Sequence, residues 1–315
     1  MSTAFLFSGQ GSQYPGMGKN LVDMYPALND LYIRASRVVG YDLREVCFAS
    51  TDEELAETRI SQPAIMITSL VACEAAKLNN IYATAVAGHS LGEYAAMVEA
   101  GIVTFEDGFK IIKARAEAMS RAAHLNPGAM AAVIGMDPDT LEKECEALDH
   151  YVTCVNYNSP QQTVIAGTKE GIAQAEAVLK EKGAKRVLRL KVSAGFHSKL
   201  MQPAAEEFKR AIKDIRFSRP KCKFYSNVTG DELKKFDNMP DLLSRHIVSP
   251  VKFTSELNNM FALGYDTFVE CGPNKVLTGL VKKTLPDAKA YNIESFDTLQ
   301  LAQEAVGLKK ESEEN

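Results

Sequence analysis

Gly88-His89-Ser90-Leu91-Gly92 sets one serine between two glycines. A short apolar run, Ala83 to Ala87, precedes it, and an alanine-rich helical pattern from Glu93 to Ala100 follows. G-x-S-x-G at a strand-to-helix turn lifts the serine hydroxyl above a sheet edge, where it can attack a carbonyl and carry an acyl group as an ester. The amides of Leu91 and Gly92 open the new helix, and its positive end favours an oxyanion forming there. The pattern alone is weak. The flanking strand and helix, with the small Ala95 and Ala96, strengthen it.

A serine nucleophile needs a base within reach, and histidines 89, 124, 150, 197 and 246 are the candidates. His89 adjoins the serine on a tight turn, where neighbouring side chains diverge, and reads as a structural group or a ligand contact. His124 and His150 sit in polar surroundings near element ends and are expected to be exposed. His197 ends the loop Ser193-Ala194-Gly195-Phe196-His197, after one strand and before a helix. A loop at a domain junction can aim a base at a serine; the plainer alternative is a loop histidine bonded to a backbone carbonyl. No aspartate or glutamate stands out as a third triad member.

Two more segments carry chemistry. Thr104-Phe105-Glu106-Asp107 opens a helix to about Ala123, with Phe109, Ile112, Ala116 and Met119 on its core stripe. Lys110, Glu117 and Arg121 fall on a solvated stripe, whereas Arg115 shares an apolar row with Ile111, Ala118 and Ala122. A guanidinium there needs an anion: a buried protein carboxylate, or a substrate carboxylate gripped by both arms of the fork. The second segment, Gly9-Gln10-Gly11-Ser12-Gln13-Tyr14-Pro15-Gly16-Met17-Gly18, fails both nucleotide-loop spacings, since Tyr14 stands where G-x-G-x-x-G needs glycine. A glycine loop after a strand can instead supply a second oxyanion N–H, here from Gln10.

The elements that must position these groups alternate. Ala4 to Phe7 and Ala83 to Ala87 read as buried strands, Leu21 to Val39 and Pro63 to Asn79 as helical stretches, so a parallel sheet flanked by helices is expected. From Ala129 to Val192 the order changes to β-α-β-β-α-β, with a turn at Asn158-Ser159-Pro160, the signature of a ferredoxin-like unit. The reading is an α/β, α/β-hydrolase-like parallel-sheet domain made of residues 1–125 and 194–308. A ferredoxin-like subdomain, 126–193, is inserted in it, and a charged, disordered tail, 309–315, ends the chain.

With 315 residues, 46% apolar and 24% charged, the chain can build a sizeable core. A net charge of −4 speaks against a nucleic-acid binder. Six scattered cysteines without a C-x-x-C pair read as buried thiols of a reduced protein, with neither a disulfide frame nor a metal site. No run approaches a membrane span and Met1-Ser2-Thr3-Ala4 lacks a signal peptide's basic start, so a cytoplasmic protein is expected.

Taken together, these residues resemble the malonyl-CoA:acyl carrier protein transacylases of fatty-acid synthesis and the related acyltransferase domains of polyketide synthases. The marks are Phe7-Ser8-Gly9-Gln10-Gly11-Ser12-Gln13, Ser61-Gln62-Pro63-Ala64, Gly88-His89-Ser90-Leu91-Gly92-Glu93, Arg115, Asn156-Tyr157-Asn158-Ser159-Pro160, Phe196-His197-Ser198 and Gly272-Pro273-Asn274-Lys275-Val276-Leu277. The resemblance implies that Ser90 attacks the thioester, His197 is the base and Arg115 binds the malonyl carboxylate. The Gln10 and Leu91 amides would form the oxyanion hole, and Gln62, His89, Asn158 and Phe196 would contact substrate. It implies too that a backbone carbonyl orients the histidine, at a position usually held by glutamine and here by His246. Asn274 replaces a glycine common in the last motif, a change that left-handed backbone tolerates in asparagine. Phe196 before His197 matches malonyl-selective members, because an aromatic there crowds a 2-methyl branch; the expected preference is about 1–3 kcal/mol. The implied substrate is malonyl-CoA, the partner an acyl carrier protein with its phosphopantetheine thiol, the state a monomer, and no cofactor is needed. A serine thioesterase or hydrolase, or a non-catalytic carrier-docking subunit, would share parts of this pattern.

Overall fold

The computed structural model describes residues 2–306, so the tail expected to be disordered lies outside the described residues. Ten strands occur in chain order: β1 Ser2–Phe7, β2 Ala85–Gly88, β3 Ala129–Ile134, β4 Val152–Ser159, β5 Gln162–Gly167, β6 Arg186–Arg189, β7 Lys223–Ser226, β8 Asp231–Glu232, β9 Tyr265–Cys271 and β10 Lys289–Ile293. The fold is α/β, with one mainly parallel sheet in the order β10-β9-β1-β2-β7-β8 and a separate antiparallel sheet in the order β4-β5-β3-β6. By their contacts the residues form two units: Met1–Lys113 with Arg216–Tyr225 and Met260–Asn315, and Ala114–Ile215 with Ser226–Asn259.

In the first unit β1 runs parallel to β2 and to β9, and Phe7 pairs with both Gly88 and Cys271. Three strands therefore end level, and the chain leaves them at Ser8, His89 and Gly272. Parallel strands buried on both faces read as continuous apolar runs, and Phe5, Leu6, Phe7, Val86 and Val269 are fully buried. Ligands of open α/β sheets bind outside such carboxyl ends. The helix Thr58–Leu78 also belongs here, and most of its length is buried. The pattern put its start at Pro63, but the helix begins five residues earlier. Proline removes only one helical hydrogen bond, and the Arg59 carbonyl left over accepts from the Tyr41 hydroxyl at 3.4 Å. The helical stretch from Leu21 to Val39 is broken instead, by Pro26, into Lys19–Met24, a short 3₁₀ turn and Asn29–Val39.

The second unit contains the ferredoxin-like order β3, helix Pro138–Glu146, β4, β5, helix Lys169–Glu181, β6. Its core gathers Ala131, Val133, Leu141, Ile165, Ile172 and Leu179 from both helices and the sheet. The hairpin is tighter than the sequence suggests. Ser159 pairs with Gln162, so Asn158 and Ser159 are strand residues and the turn is Pro160-Gln161. Their turn-forming character loses to pairing with β5, and register shifts after Cys154 and Tyr157 absorb the mismatch.

All six cysteines are free thiols, five of them buried and Cys222 half-buried. Burial pushes the Cys47 thiol up to about 12 and that of Cys222 up to about 11. Among the described residues no helix is long and apolar enough to cross a membrane, and no His, Cys, Asp and Glu side chains cluster as metal ligands.

Candidate active site

The proposed nucleophile and its oxyanion donors belong to the first unit. Ser90 adopts φ 53°, the left-handed backbone of a strained strand-to-helix elbow. Close approach makes the two glycines necessary: a Cβ on Gly88 would lie 2.0 Å from the Gly92 carbonyl carbon, and one on Gly92 would lie 2.0 Å from the Phe7 oxygen. The Gly92 amide donates to the His89 carbonyl at 3.0 Å and the Glu93 amide to that of Ser90 at 3.1 Å. This corrects the expectation for Gly92, whose N–H closes the turn, and leaves Leu91 as the elbow's candidate oxyanion donor. Gly9 lies against the same turn, since a Cβ there would be 2.7 Å from the His89 oxygen and 3.0 Å from its Nδ1. The elbow, the glycine loop carrying Gln10, and His89 are thus neighbours. Gln62 is fully buried in the helix Thr58–Leu78.

The glycine loop is tied to the segment after β9. The buried Ser8 hydroxyl donates to Glu270 Oε1 at 3.1 Å. The same carboxylate accepts from the amides of Leu277 (3.1 Å) and Thr278 (2.7 Å), where the helix Val276–Thr284 begins. Burial raises the Glu270 pKa, against the lowering effect of those donors. Asn274, at φ 66°, donates from Nδ2 to the Ser12 carbonyl at 3.2 Å. Its amide and the Tyr14 hydroxyl both donate to Glu294 Oε2, at 2.7 and 3.0 Å. Burial and the neighbouring Glu294 charge raise the Tyr14 phenol well above its ordinary range.

The remaining candidates belong to the second unit. His197 is 3% exposed and takes φ 59°. Apart from two asparagines, which tolerate left-handed backbone, His197 and Ser90 are the only non-glycine residues with positive φ among the described residues. The Ser198 hydroxyl closes the loop by donating to the Gly195 carbonyl at 2.6 Å. His197 Nδ1 lies 3.0 Å from the His246 carbonyl and 3.1 Å from that of Ser249. Carbonyls only accept, so Nδ1 carries the proton and a neutral ring presents Nε2 as the basic nitrogen. Two backbone oxygens thus stand where a triad acid would be. Arg115 is 1% exposed on the helix Phe105–Leu125, and Phe196 is buried. Asn158 lies near the end of β4, its amide 3.5 Å from Gln162 Oε1. His124 and His150 are both exposed.

Several groups escaped the sequence reading. The Ser249 carbonyl could not be found, because a backbone acceptor leaves no side-chain signal. Glu270 did leave one: a charged residue inside a buried apolar strand, two residues before Gly272-Pro273. Asn227 and Glu256, both fully buried, had none beyond their polarity.

The acyl transferase domain family model matches residues 4–310. The malonyl CoA-acyl carrier protein transacylase of Bacillus subtilis is 39% identical over 302 residues, covering 95% of each chain. The crystal structure of the malonyl CoA-acyl carrier protein transacylase from Clostridium perfringens superposes with a TM-score of 0.93 at 35% identity, over 97% of each chain. A malonyl-transacylase solved in complex with its type II polyketide synthase acyl carrier protein superposes at 0.92, with 33% identity over 97% of this chain and 100% of that one. Matched by the family model over residues 4–310 and by these transacylases over nearly its whole length, the chain belongs to the acyl transferase family, among the malonyl-CoA:acyl carrier protein transacylases.

Proposed function

We propose that the protein transfers malonyl from malonyl-CoA to the phosphopantetheine thiol of acyl carrier protein through a malonyl ester on Ser90, supplying extender units for fatty-acid synthesis. The observation that carries this reading is the pair of strained residues, Ser90 and His197, of which the histidine donates its Nδ1 proton toward two backbone carbonyls. His197 Nε2 takes the Ser90 proton as Oγ attacks the thioester carbonyl, and the Gln10 and Leu91 amides hold the oxyanion. Collapse expels the CoA thiolate, which takes the proton from His197. The carrier thiol then gives its proton to His197 and attacks the ester, and Ser90 leaves with that proton. Arg115, buried on its helix, holds the malonyl carboxylate in both halves; acetyl lacks the carboxylate that this guanidinium would bind. Gln62, His89, Asn158 and Phe196 complete the substrate contacts, and the His246 carbonyl orients the base.

The remaining assignments of the proposal are a cytoplasmic monomer that needs no cofactor. Its core is residues 1–125 and 194–308, and its inserted subdomain is 126–193. Radiolabelled malonyl-CoA tests the chemistry. The expected result is label on Ser90 that moves to added carrier protein. Rapid loss to water would mean a hydrolase, and no label a docking subunit. The relative solved with a polyketide carrier supports a second reading, transfer to a polyketide carrier. Faster transfer to such a carrier than to a fatty-acid carrier would favour it.

A further inference from the structure

Behind His197 lies a buried polar chain within the second unit. His246 is in the last turn of the helix Met239–Val248, fully buried, its ring centroid 5.5 Å from that of His197. Its Nε2 lies 3.1 Å from Asn227 Oδ1. Asn227 Nδ2 donates to Glu256 Oε1 at 2.7 Å, and Glu256 stands in the first turn of the next helix, Phe253–Ala262. A carboxylate oxygen accepts, so the Asn227 amide presents NH₂ to Glu256 and its oxygen to His246, whose Nε2 must donate. The Lys252 amide also donates to the Asn227 backbone carbonyl, at 3.0 Å. Asn227 therefore grips the segment 246–256 at three points, on both sides of the two carbonyls that bond His197 Nδ1. On the far side of Ser249, the Val251 amide donates to the Val155 carbonyl at 2.8 Å, and its own carbonyl accepts from the Tyr157 amide at 2.9 Å.

We propose that Asn227, bridging the His246 ring and the Glu256 carboxylate, is a positioning residue for the base: it holds the His246 and Ser249 carbonyls at the spacing that fixes the His197 ring and its tautomer. The inference rests on His197 being the base of malonyl transfer. Asn227 touches neither substrate nor reacting atoms in this role. It sets where the acceptors stand, and a ring released from one of two acceptors can tilt its Nε2 off line. The His246 side chain thereby acquires a function that its backbone carbonyl alone would not require.

The test uses the full-length enzyme with malonyl-CoA and carrier protein. Asn227→Ala should lower kcat roughly ten- to a hundredfold, as expected for a small misplacement of a reacting group, with the malonyl-CoA KM changed less than about twofold. In ¹⁵N-histidine-labelled enzyme the low-field Nδ1 proton of His197 should broaden or exchange faster. His246→Ala should match that loss, His246→Gln should recover most of it, and the Asn227→Ala/His246→Ala double variant should be no worse than either single, as for members of one network. A wild-type kcat and an unchanged Nδ1 resonance in Asn227→Ala would overturn the proposal. Should Asn227→Ala fail to fold, the His246 pair decides, and equal rates for His246→Ala and wild type would overturn it. If wild-type Ser90 takes no malonyl label, the reading of the base has failed; if it labels and the variants label at the same rate, only this inference has.

Discussion

The two units hold their candidate groups by different means. In the first, the elbow and glycine loop are set mainly by backbone meeting backbone, with Gly88 and Gly92 removing the Cβ atoms that would hold the strands and helix apart. In the second, His197 is set by hydrogen bonds that its Nδ1 donates to two carbonyls, whose own placement depends on buried side chains. Steric positioning is all-or-none, because a glycine is either there or the fold must shift. Polar positioning is graded, because each bond can be lost singly. The nucleophile's half should thus fail by unfolding and the base's half by losing rate.

The sharpest way to break this contrast is Gly92→Ala. The added Cβ meets the backbone of Phe7 and Ser8, which cannot rotate aside, so destabilisation should reach about 3 kcal/mol or more in urea unfolding. A well-folded, active variant would refute the steric account. Arg115→Ala should instead leave a folded protein that has lost the partner of one charged group. Malonyl transfer should fall by about 3 kcal/mol in kcat/KM, roughly 150-fold, with discrimination against acetyl-CoA relaxed. Steady-state rates with both donors check this, and an unchanged malonyl preference would remove Arg115 from the site.

Ser8→Ala probes a polar brace of the first unit. Losing the hydroxyl that reaches Glu270 should loosen the loop bearing the Gln10 amide and lower kcat about tenfold, with KM steady, since the oxyanion forms only in the transition state. Pre-steady-state labelling of Ser90 measures it. The smallest effect expected is a pH dependence of stability. Burial raises the Glu270 pKa above its ordinary 4.5, so the folded state binds that proton more tightly than the unfolded one. The stability due to Glu270 is then fully present below about 4.5 and declines as pH rises through the folded pKa. Unfolding free energies of wild type and Glu270→Gln, compared across mildly acidic pH, should show that decline in the wild type alone.

Much of the first unit was legible because its constraints are written in residue type: glycines two residues from a serine, apolar strands, a helix start. Arg115 was legible as a charge on an apolar row. Asn158 and Ser159 misled, because turn-forming residues served as strand once β5 offered them partners. Pro63 misled because a proline near a helix start can lie inside it as well as at its first residue. The arrangement around His197 lay furthest from view. Its acceptors are carbonyls, and the residues that hold them, Asn227 and Glu256, are far from His197 in sequence, so nothing local announces the assembly.

The thiols described with the fold bear on the chemistry from another side. Malonyl transfer starts from one thioester and ends in another, and acyl groups pass readily to any available thiolate. A cysteine side chain near the reaction would be a competing acceptor, draining malonyl into a dead-end protein thioester. With Cys47 raised to about 12 and Cys222 to about 11, these sulfurs stay protonated at neutral pH. Burial of its own sulfur works against interception of the cargo, and in the proposed relay the Ser90 oxygen is the stop between two thiols.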